Sequence, residues 1–141
     1  MIAWFANPGF ALACHYRVSH WANGRGRGGR VLALLVERRM IGRFACHISA
    51  RACIGRGVHL PHPIGIVIGA GSTVGARATI YHGVTLGRRR ADVADYPRVG
   101  EDVIIYAGAM LLGLVEVASG ARVAAGAILL GEARGGRAAT R

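Results

Sequence analysis

A thin, mainly β solenoid preceded by a short helical region is the fold this sequence predicts, on three observations. From residue 48 onward aliphatic side chains recur every six residues, at Ile48, Ile54 and Leu60, then Ile68, Val74, Ile80 and Leu86, then Val99, Ile105, Leu111, Val117, Val123 and Leu129. Glycine often follows the aliphatic position, as at Gly55, Gly69, Gly75, Gly87 and Gly100, with small residues between. Composition agrees: 22 Gly against 4 Pro, and 52% hydrophobic but only 6% aromatic residues, call for a core of small and aliphatic side chains. Neither a 3.6-residue nor a two-residue period yields this pattern. A solenoid of short strands and tight turns does, each hexad forming one flat face with its aliphatic residue inward and three hexads closing a coil, about four coils in all.

Taken in order, residues 1–47 form the helical region. In "GFALACHYRVSHWA", Leu12, Tyr16 and Trp21 stand near helical spacing, and "VLALLVERRMIGRF" supplies a second amphipathic stretch. Between them "NGRGRGGR", residues 23–30, is expected to be a solvated, flexible Gly/Arg linker; no strand precedes it and no Lys-Ser or Lys-Thr follows, so a phosphate cradle is the weaker reading. The helical region is expected to pack or to oligomerise. Residues 48–131 carry the hexads, and the register breaks twice. Two extra residues enter around His62, and "RRRADVADYPR" adds a loop at 88–98; insertions in a solenoid are loops on one face, often the binding face. Residues 132–141, "EARGGRAATR", form a tail expected to be flexible by composition.

At 141 residues the chain is one domain. Its net charge is +11, yet all 18 basic residues are Arg, scattered in loops without an aromatic or recognition-helix context, which weighs against nucleic acid and suits a smaller anion such as a phosphorylated cofactor. The 3 cysteines form no CxxC pair, no zinc spacing and no even disulfide set, so no metal and a reducing cytoplasm are expected. No apolar run is long enough to span a membrane, and the start lacks the basic n-region of a signal peptide.

The chemistry concentrates on "LPHPIGIVIG", where His62 lies between Pro61 and Pro63. Together with "CIGRGVH", "GVTLG" and "YPRVGEDVIIYAGAMLLG", and more loosely "NPGFALACHYRVSHW", this ordered set resembles the hexapeptide-repeat acyltransferases, whose fold is a left-handed parallel β-helix. Within them it is most similar to the serine acetyltransferase branch, including O-acetyltransferases of polysaccharide pathways. The resemblance implies an acetyl-CoA-dependent O-acetyltransferase, a homotrimer or dimer of trimers with sites between neighbouring β-helices, and His62 as the general base. A hydroxyl needs its proton removed as it attacks the thioester, and imidazole suits that step near neutral pH. Backbone N–H groups at a Gly-rich turn would stabilise the oxyanion. By the same resemblance CoA lies against Tyr106, Ala107 and Gly108, beside Ala125, with Thr85, Gly87 and Arg122 along its path. Arg88 and Arg89, in a triple Arg with Arg90, either pair with CoA phosphates or are merely solvated.

Departures from the branch bear on the acceptor. Pro61 and His47 stand where serine acetyltransferases carry Asp, Tyr96 where they carry a second active-site His, and Asp95 where they carry Arg. The ring of His62 is then left to His47, to a backbone carbonyl, or to Asp92 or Asp95 reaching across from the long loop. His82 either contacts the acceptor or is an interior or interface histidine. These changes point to a sugar or other small alcohol rather than L-serine, with a serine O-acetyltransferase of cysteine biosynthesis and a catalytically impaired scaffold as the alternatives.

Overall fold

The computed structural model describes residues 7–131 and the backbone of residues 139–140. Two helices, α1 (Pro8–Asn23) and α2 (Gly26–Phe44), precede short strands of two or three residues. Face A stacks β1 (His47–Ile48), β3 (Val67–Ile68), β6 (Thr85–Gly87), β9 (Met110–Leu112) and β12 (Ile128–Leu130); face B stacks β2 (Cys53–Ile54), β4 (Thr73–Val74), β7 (Arg98–Val99) and β10 (Glu116–Val117); face C stacks β5 (Thr79–Ile80), β8 (Ile104–Ile105) and β11 (Arg122–Val123). Neighbours on every face run parallel and in register, so that Ile48, Ile68, Leu86, Leu111 and Leu129 form one column. The result is a triangular parallel β-helix. On face A the last parallel rung meets β13 (Ala139–Thr140), which pairs antiparallel with β12; the rest of the 132–141 tail lies outside the described residues.

Two side chains per hexad fill the interior. The recurrent aliphatic residue points inward, and so does the residue two before it: Ala52 before Ile54, Ile66 before Ile68, Ala78 before Ile80, Val84 before Leu86, Val103 before Ile105 and Ala109 before Leu111, all buried. Strand alternation puts i and i−2 on one side, and the narrowing at each corner favours the smaller partner. A fully buried aliphatic side chain contributes about 1.5–3 kcal/mol, so the columns supply most of the stability of a domain with few aromatics.

The helices close the N-terminal end of the β-helix. A first coil has no coil above it, and its backbone groups need partners. Tyr16 Oη donates to the Ala52 carbonyl at 2.7 Å and accepts from the Ile54 N–H at 3.1 Å. Arg17 donates to the carbonyls of Ile54 and Gly55, a ring nitrogen of His20 lies 2.8 Å from the Ala50 carbonyl, and Glu37 accepts from the Ala50 N–H. Gly9 is required where α1 crosses Leu60, because a Cβ there would strike the Leu60 carbonyl oxygen.

The linker expectation for residues 23–30 is corrected. Helix α2 begins at Gly26, leaving only Gly24 and Arg25 between the helices. Tertiary packing overrides the low helix propensity of glycine here: a Cβ on Gly29 would collide with the Ala22 carbonyl oxygen, so the two helices approach this closely only because residue 29 has none.

Candidate active site

Counting hexads sends the two register breaks to different edges of the prism. The His62 insertion lies on the edge between faces C and A, and residues 88–97 lie on the edge between faces A and B.

At the first edge the Ile64 N–H donates to the His62 carbonyl at 2.9 Å, a three-residue turn centred on Pro63. Proline's fixed φ suits the centre of such a turn, and Pro63 is buried beneath it while His62 is exposed. The backbone of His62 is therefore braced on both sides. Its ring meets aromatic neighbours from the next coil: the ring centroid of His82 lies 6.2 Å away, edge to face, and that of Tyr81 6.4 Å away. Tyr81 in turn stacks on Tyr106 of the following coil at 5.5 Å. His82 is exposed, not interior.

Beyond these rings the edge is paved with glycine. Gly65, Gly83, Gly108 and Gly126 occupy one corner position in successive coils, all with φ between 66° and 71°. Each of the first three lies against the next: a Cβ built on it would sit 3.6–3.9 Å from the following glycine's Cα. Their N–H groups are consumed by the coil before, as in Gly83 to Ile64 and Gly108 to His82. The amides of His82, Ala107 and Ala125, one residue earlier in each turn, have no acceptor among the described residues. A shallow track lined by unpaired N–H groups thus runs from His62 along the edge. From this edge Thr85 opens the face A strand β6 and Gly87 ends it next to the long loop, while Arg122 opens the face C strand β11 that leads to Ala125. On the other side of His62 a groove of about 680 Å³ is walled by Ile41, Arg43, Phe44, Pro61, Pro63 and Ile64. His47 is exposed on the first strand of face A, in register with Val67.

The second edge gathers the other candidates. Tyr96 lies over the corner made by Gly69 and Gly71, so closely that a Cβ on Gly69 would come within 2.7 Å of the ring. The Arg88 guanidinium stands over the same ring at 5.9 Å and donates to the Ala91 carbonyl. Arg90 holds Asp92 through two hydrogen bonds of 3.0 and 2.7 Å, so Asp92 already has a cationic partner. Asp95 and Tyr96 line a pocket of about 560 Å³ with Arg51, Arg88 and Arg98. Within one chain the loop residues Arg88, Arg89, Asp92, Asp95 and Tyr96 are thus on a different edge from His62. Tyr81, Arg51 and Arg98 were not singled out from sequence. The hexad count alone is the signal that finds them, since it puts Tyr81 one coil above His62 and Arg51 at the corner that later carries the long loop.

No family model matches the chain. A curated relative, the serine acetyltransferase of Buchnera aphidicola subsp. Acyrthosiphon pisum, is 40% identical over 124 residues, covering 86% of this chain and 44% of that protein. Among solved structures, a serine acetyltransferase in complex with CoA superimposes with a TM-score of 0.77 at 31% identity, covering 93% of this chain and 57% of the other. The Neisseria gonorrhoeae serine acetyltransferase in complex with serine gives 0.76 at 29%, covering 94% and 56%. The fold common to them is the left-handed β-helix. This chain spans roughly half the length of these proteins.

Proposed function

From its homology with the serine acetyltransferases of the hexapeptide-repeat acyltransferase family, we propose that this chain transfers acetyl from acetyl-CoA to the hydroxyl of L-serine, with His62 as general base. The observation that carries the reading is the position of His62, exposed on a proline-braced turn at the head of the glycine-paved track. The imidazole takes the hydroxyl proton as the oxygen attacks the thioester carbonyl. The tetrahedral oxyanion collapses, the C–S bond breaks, and the imidazolium returns the proton to the CoA thiolate. The amide of His82, without an acceptor among the described residues, is assigned to the oxyanion, and those of Ala107 and Ala125 to the path of CoA. Gly108, Thr85, Gly87 and Arg122 are assigned to CoA by the same homology, and Arg89 to its phosphates from a neighbouring copy.

The relatives support L-serine over the sugar acceptor that the departures at Pro61, His47, Asp95 and Tyr96 suggested; the N. gonorrhoeae neighbour was solved with serine itself. A thin prism whose base and long loop occupy different edges needs a second copy to bring them together. A homotrimer does this with one repeated contact, each loop meeting the neighbour's His62. The branch's Asp positions are Pro61 and His47 here, and the ring of His62 has His82 and Tyr81 as its aromatic neighbours.

The test is free-thiol release from acetyl-CoA with L-serine, beside a sugar panel. L-Serine is expected to be the acceptor, and His62→Ala to lower kcat by at least about a hundredfold, as loss of a general base does. A fully active His62→Ala protein would end the catalytic assignment.

A further inference from the structure

We propose that the pocket beneath the long loop binds the α-carboxylate and α-ammonium of the acceptor, through Arg51, Arg88 and Arg98 on one side and Asp95 on the other. This rests on the reading above, because the pocket reaches a His62 only in a neighbouring copy.

Three guanidinium groups from separate parts of the chain converge here. Arg51 comes from the first coil's corner, Arg88 from the loop, and Arg98 from the start of β7. Arg51 has no side-chain partner among the described residues, and Arg98 faces only Glu116 at 3.8 Å, both exposed. An exposed pair at that distance contributes little and yields to a better anion. Guanidinium matches carboxylate in a two-point fork, and more than one fork here can approach a single ligand.

Asp95 decides which anion fits. It is the one carboxylate lining the pocket and makes no ion pair among the described residues. A polyphosphate would meet it as a like charge, whereas an amino acid brings an ammonium beside its carboxylate; a sugar brings neither. The wall between them is rigid, since Tyr96 is seated on Gly69 and Gly71 and covered by Arg88. Arg51 and Arg98 thereby add cationic groups to a pocket in which Asp95 stands where the branch carries Arg.

The experiment is calorimetric titration of L-serine into the CoA-saturated protein, as wild type, Arg51→Gln and Arg98→Gln, with ethanolamine as the analogue without a carboxylate. KM for L-serine and for acetyl-CoA are measured on the same proteins. Each substitution is expected to weaken L-serine at least about tenfold, ethanolamine to bind the wild type at least about tenfold more weakly than L-serine, and KM for acetyl-CoA to change by less than about threefold. No L-serine binding by the wild type, unchanged affinity in both variants, or a raised KM for acetyl-CoA in place of that for L-serine overturns the proposal. Binding with the expected Arg dependence but without thiol release keeps the pocket and ends the transferase reading. Transfer to L-serine with both variants unaffected does the reverse.

Discussion

Tyr16 shows how much one side chain can hold in this fold. Its hydroxyl answers both a carbonyl and an N–H of the uncovered first coil, with the ring fully buried. Tyr16→Phe leaves two buried backbone groups unpaired and is expected to cost about 1–3 kcal/mol, read as a lower denaturant midpoint with unchanged m. Burial also pushes the phenol's pKa up, more than the Ile54 N–H draws it down. A raised folded-state pKa gives stability that is intact below about pH 10 and lost as pH rises further. The wild type should therefore weaken on the alkaline side, and Tyr16→Phe should flatten that limb of a stability-against-pH curve. Tyr16 was readable from sequence as a helix position, but not as a hydrogen-bonding plug, because its partners lie 36 and 38 residues away.

At the scale of elements, local and tertiary preferences oppose each other most plainly in α2. Glycines at 26, 28 and 29 argue for a linker, and propensity alone would favour Ala by about 1 kcal/mol at each interior helical position. The contact with Ala22 outweighs it at Gly29. Gly29→Ala is expected to destabilise by roughly 1–3 kcal/mol, the usual cost of overpacking, whereas Gly28→Ala, with open space at its Cβ, should be neutral or stabilising; thermal unfolding of the two variants side by side checks this. The β-helix elements were legible because every hexad repeats the same demand. Even the exceptions obeyed it: the long loop and the extra residues at His62 leave the register of the strands around them intact.

For the whole molecule the decisive fact is that His62 and the arginine pocket occupy different edges of one prism. If each site is completed by a neighbour, chains carrying His62→Ala and chains carrying Arg98→Gln, each impaired alone, should regain L-serine acetylation when unfolded together and reassembled, to roughly a quarter of the sites by random mixing. Activity that stays at the level of the separate variants would mean that a site is built within one chain. The sequence by itself determined the coil, its inward aliphatic positions and the two breaks in register, one of them at His62, because a six-residue period admits one three-sided solution. Only the tertiary structure decided that the helices plug the first coil, that a second helix begins within "NGRGRGGR" at Gly26, that His62 meets rings rather than a carboxylate, that the two insertions occupy different edges, and that Arg51 and Arg98 converge beneath the loop. Those outcomes depend on contacts between residues many positions apart, whose distances are set by packing rather than by any local period.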